Sequence, residues 1–278
     1  MAAAEQATST NWTLPTAKTP SGWGPGYNRA ADFARASVVT QRSAIDAPAR
    51  IRVLSANLWN GRADGERFAD LAASLEVDVI AVQELGPVQA AALQRRFPHG
   101  VLEPADDFNG MGIVARLPVS VRRIALSYRD ARVADLVLRD ADGAAVAVEL
   151  VNVHIEAPHQ SPTWRTVARR RRQWRGLERH LNADPHRPRL MVGDFNSTPL
   201  WPFYRRVATH LRDAALIHAA RAGGPVRRTW GPWPGSVRLV RIDHAFVHRL
   251  EVLDFRVLDV PNGDHNAVLV DIAAQGGG

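Results

Sequence analysis

The chain has 278 residues, 46% hydrophobic and 23% charged, with a formal net charge of +7 and no cysteine. That balance excludes a wholly disordered or collagen-like chain. A chain this long buries around three quarters of its unfolded surface, so it needs no covalent or metal staple. The missing cysteines exclude disulfide frameworks, thiol nucleophiles and thiolate-bound zinc or iron–sulfur centres.

Lys18 is the one lysine among 35 Lys and Arg. Arginine favours planar, bidentate contacts to phosphate and carboxylate, and the excess draws polyanions by long-range attraction. The plainer reading is codon bias toward arginine. No apolar run approaches the ~20 residues of a membrane span. The start, MAAAEQATSTNWTLPT, lacks a basic segment followed by an apolar core, so no secretory signal is evident and a cytoplasmic location is expected.

Residues 1–50 read as an arm or linker rich in Ala, Thr, Ser, Gly and Pro. PSGWGPGYN is a loop, ADFARASVVTQRSA holds one short helix, and Trp12, Trp23 and Tyr27 are candidates to pin the arm to the body. From Ile51 the pattern changes. Ile51–Asn57 is a strand, and Asp64–Leu75 has helical spacing through Phe68, Leu71, Ala72 and Leu75. Asp78–Glu84 is a β-branched buried strand, followed by a helix opening at Pro87. Met111–Ala115 and Val119–Leu126 read as strands. Arg132–Asp140 and Ala145–Ile155 pair as a hairpin across the turn signal Asp142-Gly143. Pro162–Leu181 is a long helix and Pro188–Asp194 another buried strand. RIDHAFV, EVLDFRVLDV and HNAVLVDI close the chain as strands. Mixed strands with helices outside predict an α/β sandwich, with one domain over 51–272 and a flexible tail over 273–278.

Polar residues sit at the ends of these apolar runs: Asn57, Glu84, His154, Asp194 with Asn196, Asp243 with His244, and Asp264 with His265. A carboxylate at a buried strand end is costly unless it is paired, hydrogen-bonded or metal-bound. Their recurrence predicts one shared rim, and hard oxygen ligands suit Mg²⁺, Mn²⁺ or Ca²⁺.

SANLWNG, VIAVQEL, GMGIVARLPV, VNVHIEAP, MVGDFNSTP, RIDHAFV and GDHNAVLVDI, in this order, resemble the endonuclease/exonuclease/phosphatase superfamily over about residues 51–272. That group includes deoxyribonuclease I, AP endonucleases, inositol polyphosphate 5-phosphatases and neutral sphingomyelinases. The resemblance implies a four-layer α/β sandwich of two packed mixed β-sheets flanked by helices. It implies Glu84 as main metal ligand, with Asn57 beside it and Asp264 near the metal directly or through water. Asp194 is implied as the base for the attacking water, and Asn196 as holder of the phosphate or of Asp194. His154 and His265 are implied as hydrogen-bond donors to phosphate oxygens, and Asp243 as the group that fixes the His265 ring.

A divalent metal and cationic imidazoles neutralise charge as it develops during in-line attack on phosphorus. A carboxylate base contributes about 10²–10⁴-fold, and no covalent intermediate is expected. Trp59 replaces the acid that AP endonucleases carry, and His154 stands where they tend to have tyrosine. Both departures point to the deoxyribonuclease, sphingomyelinase and phosphatase branches.

The expected function is therefore metal-dependent phosphodiester hydrolysis, a nuclease first, with a phospholipid or small-ester phosphodiesterase or phosphatase as alternative and a non-catalytic polyanion-binding module third. Each polar residue also has a plainer reading: Asn57 as a turn cap, His154 as a core histidine, Asp194 in an Asx-turn. His244 and Arg116 read as structural, and the remaining histidines as surface or packing residues. The arginine run 164–175 reads as a solvated helix, or as a contact for nucleic acid or an anionic membrane surface. Arg228 and Trp230 are candidate substrate contacts, against plain aromatic packing of their loop. A monomer is expected.

Overall fold

The computed structural model describes residues 47–159 and 163–275. The first half runs β1 (Arg50–Asn57), α1 (Gly65–Ser74), β2 (Val79–Gln83), α2 (Pro87–Arg96), β3 (His99–Glu103), β4 (Met111–Ala115), β5 (Ser120–Ile124) and β6 (Ala131–Arg139). The second runs β7 (Ala145–His154), α3 (Thr163–Ala183), β8 (Arg189–Asp194), α4 (Pro202–Val207), β9 (Arg212–Asp213), α5 (Ala214–Ala222), β10 (Asp243–His248), β11 (Leu250–Asp259) and β12 (Asn266–Ala274).

Local chemistry explains the boundaries. Asp64 caps α1 by accepting the Arg67 N–H at 3.1 Å, satisfying a donor that the first helical turn cannot. Phe68, Ala69 and Ala72 then form the buried stripe. Pro87 opens α2, where its missing N–H costs nothing. At the β6–β7 turn the Asp140 carboxylate accepts the N–H of Asp142 and of Ala144, and Gly143 takes φ 80°.

Two six-stranded sheets result, in the orders β11-β12-β1-β2-β4-β3 and β5-β6-β7-β8-β10-β9. Each contains one parallel pair, β1 with β2 and β7 with β8, and the other neighbours run antiparallel. A parallel pair needs a helical crossover, and α1 and α3 supply them. The carboxyl ends of β1, β2, β7 and β8 therefore point the same way as the starts of antiparallel β10 and β12.

Side-chain alternation makes three apolar layers. Val53, Val79, Ala81, Leu150, Val192, Ala245 and Val270 belong to the cluster between the sheets. Leu54, Ile80, Val82 and Leu269, one position along, pack with α1 and α2 residues such as Phe68 and Leu93. Val151, Met191 and Phe246 pack with Trp174 and Leu177 of α3 and Phe203 of α4. Each fully buried Val, Leu or Ile contributes about 1.5–3 kcal/mol. Helix, sheet, sheet, helix is the four-layer sandwich that the sequence predicts.

The predicted strands and helices are present with small shifts. β1 opens at Arg50. The tail expected from residue 273 starts later, because Ala273 and Ala274 still pair with Arg50 and Leu250. The half-exposed β3, the two-residue β9, and helices α4 and α5 were not expected. The calls on the N-terminal arm, its helix and its aromatics fall before residue 47, outside the described residues. Among the described residues, no helix is long and apolar enough to cross a membrane.

Candidate active site

Following the inward face of each strand toward the shared rim, the inter-sheet core changes character. Val53, Ala81 and Leu150 are apolar. Two residues on, Ser55, Gln83 and Asn152 form a buried polar layer. Gln83 Nε2 donates to Asn152 Oδ1 at 2.6 Å and to Ser55 Oγ at 3.2 Å. Asn152 Nδ2 donates to the Val82 and Gly112 carbonyls, both at 3.0 Å. These bonds lock the two sheets in register directly beneath the rim.

The last inward positions carry the acids and imidazoles. His154, Asp194 and Asp243 occupy one rung across β7, β8 and β10. Asn57 faces them from β1, opposite Gln83. Gly193 makes that rung possible: a Cβ there would lie 2.0 Å from the Val153 carbonyl oxygen.

Two departures from regular backbone bring further groups in. By alternation Glu84, after inward Gln83, would face the helices. A left-handed φ of 51° at Glu84 breaks the alternation, a conformation seldom adopted outside glycine and characteristic of functional sites. Its carboxylate accepts Asn57 Nδ2 at 3.1 Å and the Asn60 N–H at 2.8 Å. Asn196, with φ 45°, likewise turns back. Its backbone N–H donates to Asp194 Oδ1 at 2.7 Å and its Nδ2 to Asp194 Oδ2 at 3.0 Å.

Asn57 Nδ2 also donates to Asp194 Oδ2 at 3.1 Å, so one amide bridges the acids of the two sheets. Only an N–H₂ can face two carboxylates, which fixes the amide orientation. His265 donates from Nδ1 to Asp243 at 2.9 Å, and its Nε2 lies 4.0 Å from Asp194 Oδ2. Thr229 Oγ1 accepts the Ile242 and Asp243 N–H groups, both at 3.1 Å, and holds that aspartate in place.

Burial and charge set the protonation states. Burial pushes Asp194 up to about 7, Asp243 and Glu84 add to the rise, and the His265 charge opposes it. Burial works against the His265 cation, but Asp243, then Asp194 and Asp264, overcome it and hold the ring protonated to about 10. Burial also raises Glu84 and Asp264. His154 is lowered well below the ordinary range by burial, then by the charges of Arg129 and His265.

The donor set fits a hard divalent cation. Ligand atoms of Glu84, His154 and Asp194 lie within 4.8 Å of one another, as do those of Asp194, Asp243 and His265. Asp264 Oδ1 is buried with no hydrogen-bond partner among the described residues. Buried oxygen acceptors lacking a donor are what such an ion satisfies.

A model of the endonuclease/exonuclease/phosphatase family matches residues 54–265. The chain belongs to this family. Its members are metal-dependent phosphoesterases, and the chain is an enzyme of that class. Among curated proteins no sequence matches. Solved structures share the fold. A humanized D. rerio TDP2 superposes with TM-score 0.60 at 16% identity, over 81% of this chain and all (100%) of that one. The human Nocturnin catalytic domain gives 0.55 at 17%, over 81% and 95%. A Bacteroides thetaiotaomicron mannosyl-6-phosphatase gives 0.56 at 16%, over 80% and 99%.

Against the sequence expectations, this member of the family gathers Asn57, Glu84, His154, Asp194, Asn196, Asp243 and His265 at one rim. Asp264 adjoins them, its charge acting on Glu84. His154 departs from the donor role that the resemblance implies. Its Nε2 lies 2.9 Å from Arg129 Nη1, and because a guanidinium only donates, that nitrogen is an acceptor and the ring is neutral. Trp230 is half-buried, its backbone bridging Val240 and His265, and its side chain hydrogen-bonds to Asp264. Arg228 is exposed.

The arginine run divides. Arg165, Arg171, Arg172 and Arg175 are exposed. Arg169 reaches Glu156 at 2.9 Å. Arg170 donates to the Ser197 hydroxyl and the Glu156 carbonyl, tying α3 to the Asp194 loop. Sequence reading missed Gln83, Asn152, Arg129 and Arg170. The signal for Asn152 was an amide at an inward position of an otherwise apolar strand.

Proposed function

We propose that this phosphoesterase hydrolyses phosphodiester bonds of nucleic acid, with Mg²⁺ as its metal. The observation that carries hydrolysis is the Asp194–His265 pair: a carboxylate raised to about 7 lies 4.0 Å from an imidazolium maintained by Asp243. A base poised near the working pH transfers protons most effectively.

In this reading Asp194 accepts the proton of the attacking water, aimed by Asn196 and Asn57. His265 donates from Nε2 to phosphate oxygens as charge builds. Glu84 and Asp264, with Asn57 adjoining, hold the metal, which supplies charge neutralisation and water polarisation when bound. Asp243 keeps the His265 proton on Nδ1 and the ring cationic. The exposed arginines of α3 and the net charge of +7 favour a polyanionic substrate. Arg228 is proposed as a substrate contact, and Trp230 as the support of Asp264.

A second reading, a phospholipid or small phosphate ester, is favoured by the loop after Trp230. Trp233 and Val237 are 62% and 77% exposed there, while Arg238 clamps the loop to the Gly263 and Asp264 carbonyls. Membrane contact and a phosphatase reaction like that named for the Bacteroides neighbour belong to this reading.

The test is a substrate panel with Mg²⁺ or Mn²⁺: plasmid and single-stranded DNA, RNA, sphingomyelin vesicles and sugar phosphates. Cleavage of nucleic acid, abolished by EDTA and by Asp194→Ala, supports the proposal. Turnover confined to a lipid headgroup or a monoester overturns it.

A further inference from the structure

We infer that Arg129 is a catalytic residue whose guanidinium contacts the non-bridging oxygens of the substrate phosphate. The inference rests on the phosphoesterase reading of this site and adds a cation that the motifs do not contain. Arg129 lies in the β5–β6 turn, far in sequence from every motif residue, yet it is only 7% exposed.

Its Nη1 touches His154 Nε2 at 2.9 Å. That same nitrogen lies 3.6 Å from Glu84 Oε1 and 3.7 Å from Asp194 Oδ2. The Arg129 charge therefore stands in the corner between the two carboxylates and acts on Glu84.

The turn is built to aim it. Ser127 adopts a left-handed φ of 74°, and the Leu126 N–H is bound by Asp130 Oδ1 at 3.2 Å. The guanidinium lies 5.4 Å from the Tyr128 ring centroid, and that ring also carries Arg169 at 4.4 Å.

Chemistry assigns the role. A phosphodiester anion gains charge on its non-bridging oxygens during in-line attack, and fixed donors aimed at those oxygens lower the barrier. The sequence motifs offer two imidazoles for this. In the structure His265 is the cation, and His154 is a neutral acceptor that cannot donate from Nε2. The positive charge expected at His154 is supplied instead by Arg129, a permanent cation with five N–H donors in a planar fork matched to phosphate. His154 then acts as a positioning residue that holds the guanidinium.

The test uses the full-length enzyme with Mg²⁺, bis-p-nitrophenyl phosphate as substrate and inorganic phosphate as ligand. Folding is checked by circular dichroism and melting. Arg129→Ala is expected to lower kcat/KM by about 10²–10³-fold, to weaken phosphate binding measured by titration calorimetry, and to recover part of its activity with added guanidinium. Arg129→Lys, which keeps the charge, is expected to fall between. Arg129→Ala placed on His154→Gln is expected to cost roughly tenfold or more beyond the single variant.

Wild-type kcat/KM and phosphate affinity in a folded Arg129→Ala overturn the inference. So does the absence of any further loss on His154→Gln, which would make Arg129 act only through that ring. If the wild type turns over no phosphate ester but binds phosphate through Arg129, the reaction reading fails while this contact stands. If it does neither, both fall.

Discussion

Asp243→Asn removes the charge behind His265 while keeping the shape of its partner. In the wild type, His265 Nδ1 lies 3.1 Å and 2.9 Å from the two Asp243 oxygens, and the ring stays protonated to about 10 against an ordinary 6.5. That difference is on the order of 5 kcal/mol in favour of the imidazolium. Burial opposes the cation, and Asp243 is the largest favourable source, ahead of Asp194 and Asp264. With an amide at 243 the opposing burial prevails, and His265 is neutral at physiological pH. The variant is expected to lose about 10²–10⁴-fold in kcat, the scale of an Asp→Asn change behind a catalytic histidine. Its activity is expected to decline from neutral pH upward, where the wild type holds to the alkaline range. The assay is a pH–rate profile on bis-p-nitrophenyl phosphate, with the imidazole resonance of His265 followed in EDTA. A folded variant with unchanged kcat and an unchanged His265 titration would refute the reasoning.

Three further outcomes follow from the same geometry. His244 is buried, donates from Nε2 to the Ser197 carbonyl at 2.7 Å, and is lowered by burial to about 4. The unfolded ring takes up a proton near 6.5 and the folded one does not, so stability is full above 6.5 and is lost as pH falls toward 4, by up to about 3 kcal/mol; chemical denaturation of His244→Gln is expected to show a flatter acid dependence. Arg170→Ala strands the Glu156 carbonyl and the Ser197 hydroxyl, and is expected to cost about 1–3 kcal/mol in denaturant unfolding and roughly tenfold in kcat, with KM little changed, through a misplaced Asp194 loop. Mg²⁺ is expected to raise the melting temperature of the wild type by several degrees, since saturation at about 100 times Kd contributes roughly 2.7 kcal/mol; Glu84→Gln is expected to remove most of that rise in a thermal-shift assay.

Strands with unbroken apolar runs were legible because burial on both faces leaves no other reading: Val79–Gln83 and Arg189–Asp194 are buried throughout. β3 was not, because His99–Glu103 is half-exposed and lacks both alternation and a continuous apolar run. β9 is two residues long, too short for any pattern. The rim residues were legible as polar ends of apolar runs. Arg129 was not, because nothing in its turn distinguishes it from the other arginines, and only the β5–β6 connection carries it to His154. The roles of His154 and Asn57 depend on which atom faces which neighbour. Spacing placed both residues correctly, while their donor and acceptor assignments required the Arg129 and Trp59 contacts.

The central claim is that residues scattered from Asn57 to His265 form one metal-binding, phosphate-cleaving rim. Anomalous diffraction from crystals soaked in Mn²⁺ tests it most directly. The account predicts a strong peak bonded to a Glu84 carboxylate oxygen and neighbouring Asp264, with Asp194 and His265 facing it across space for a phosphate. A fully occupied ion elsewhere on the chain, with no peak at Glu84, would contradict it.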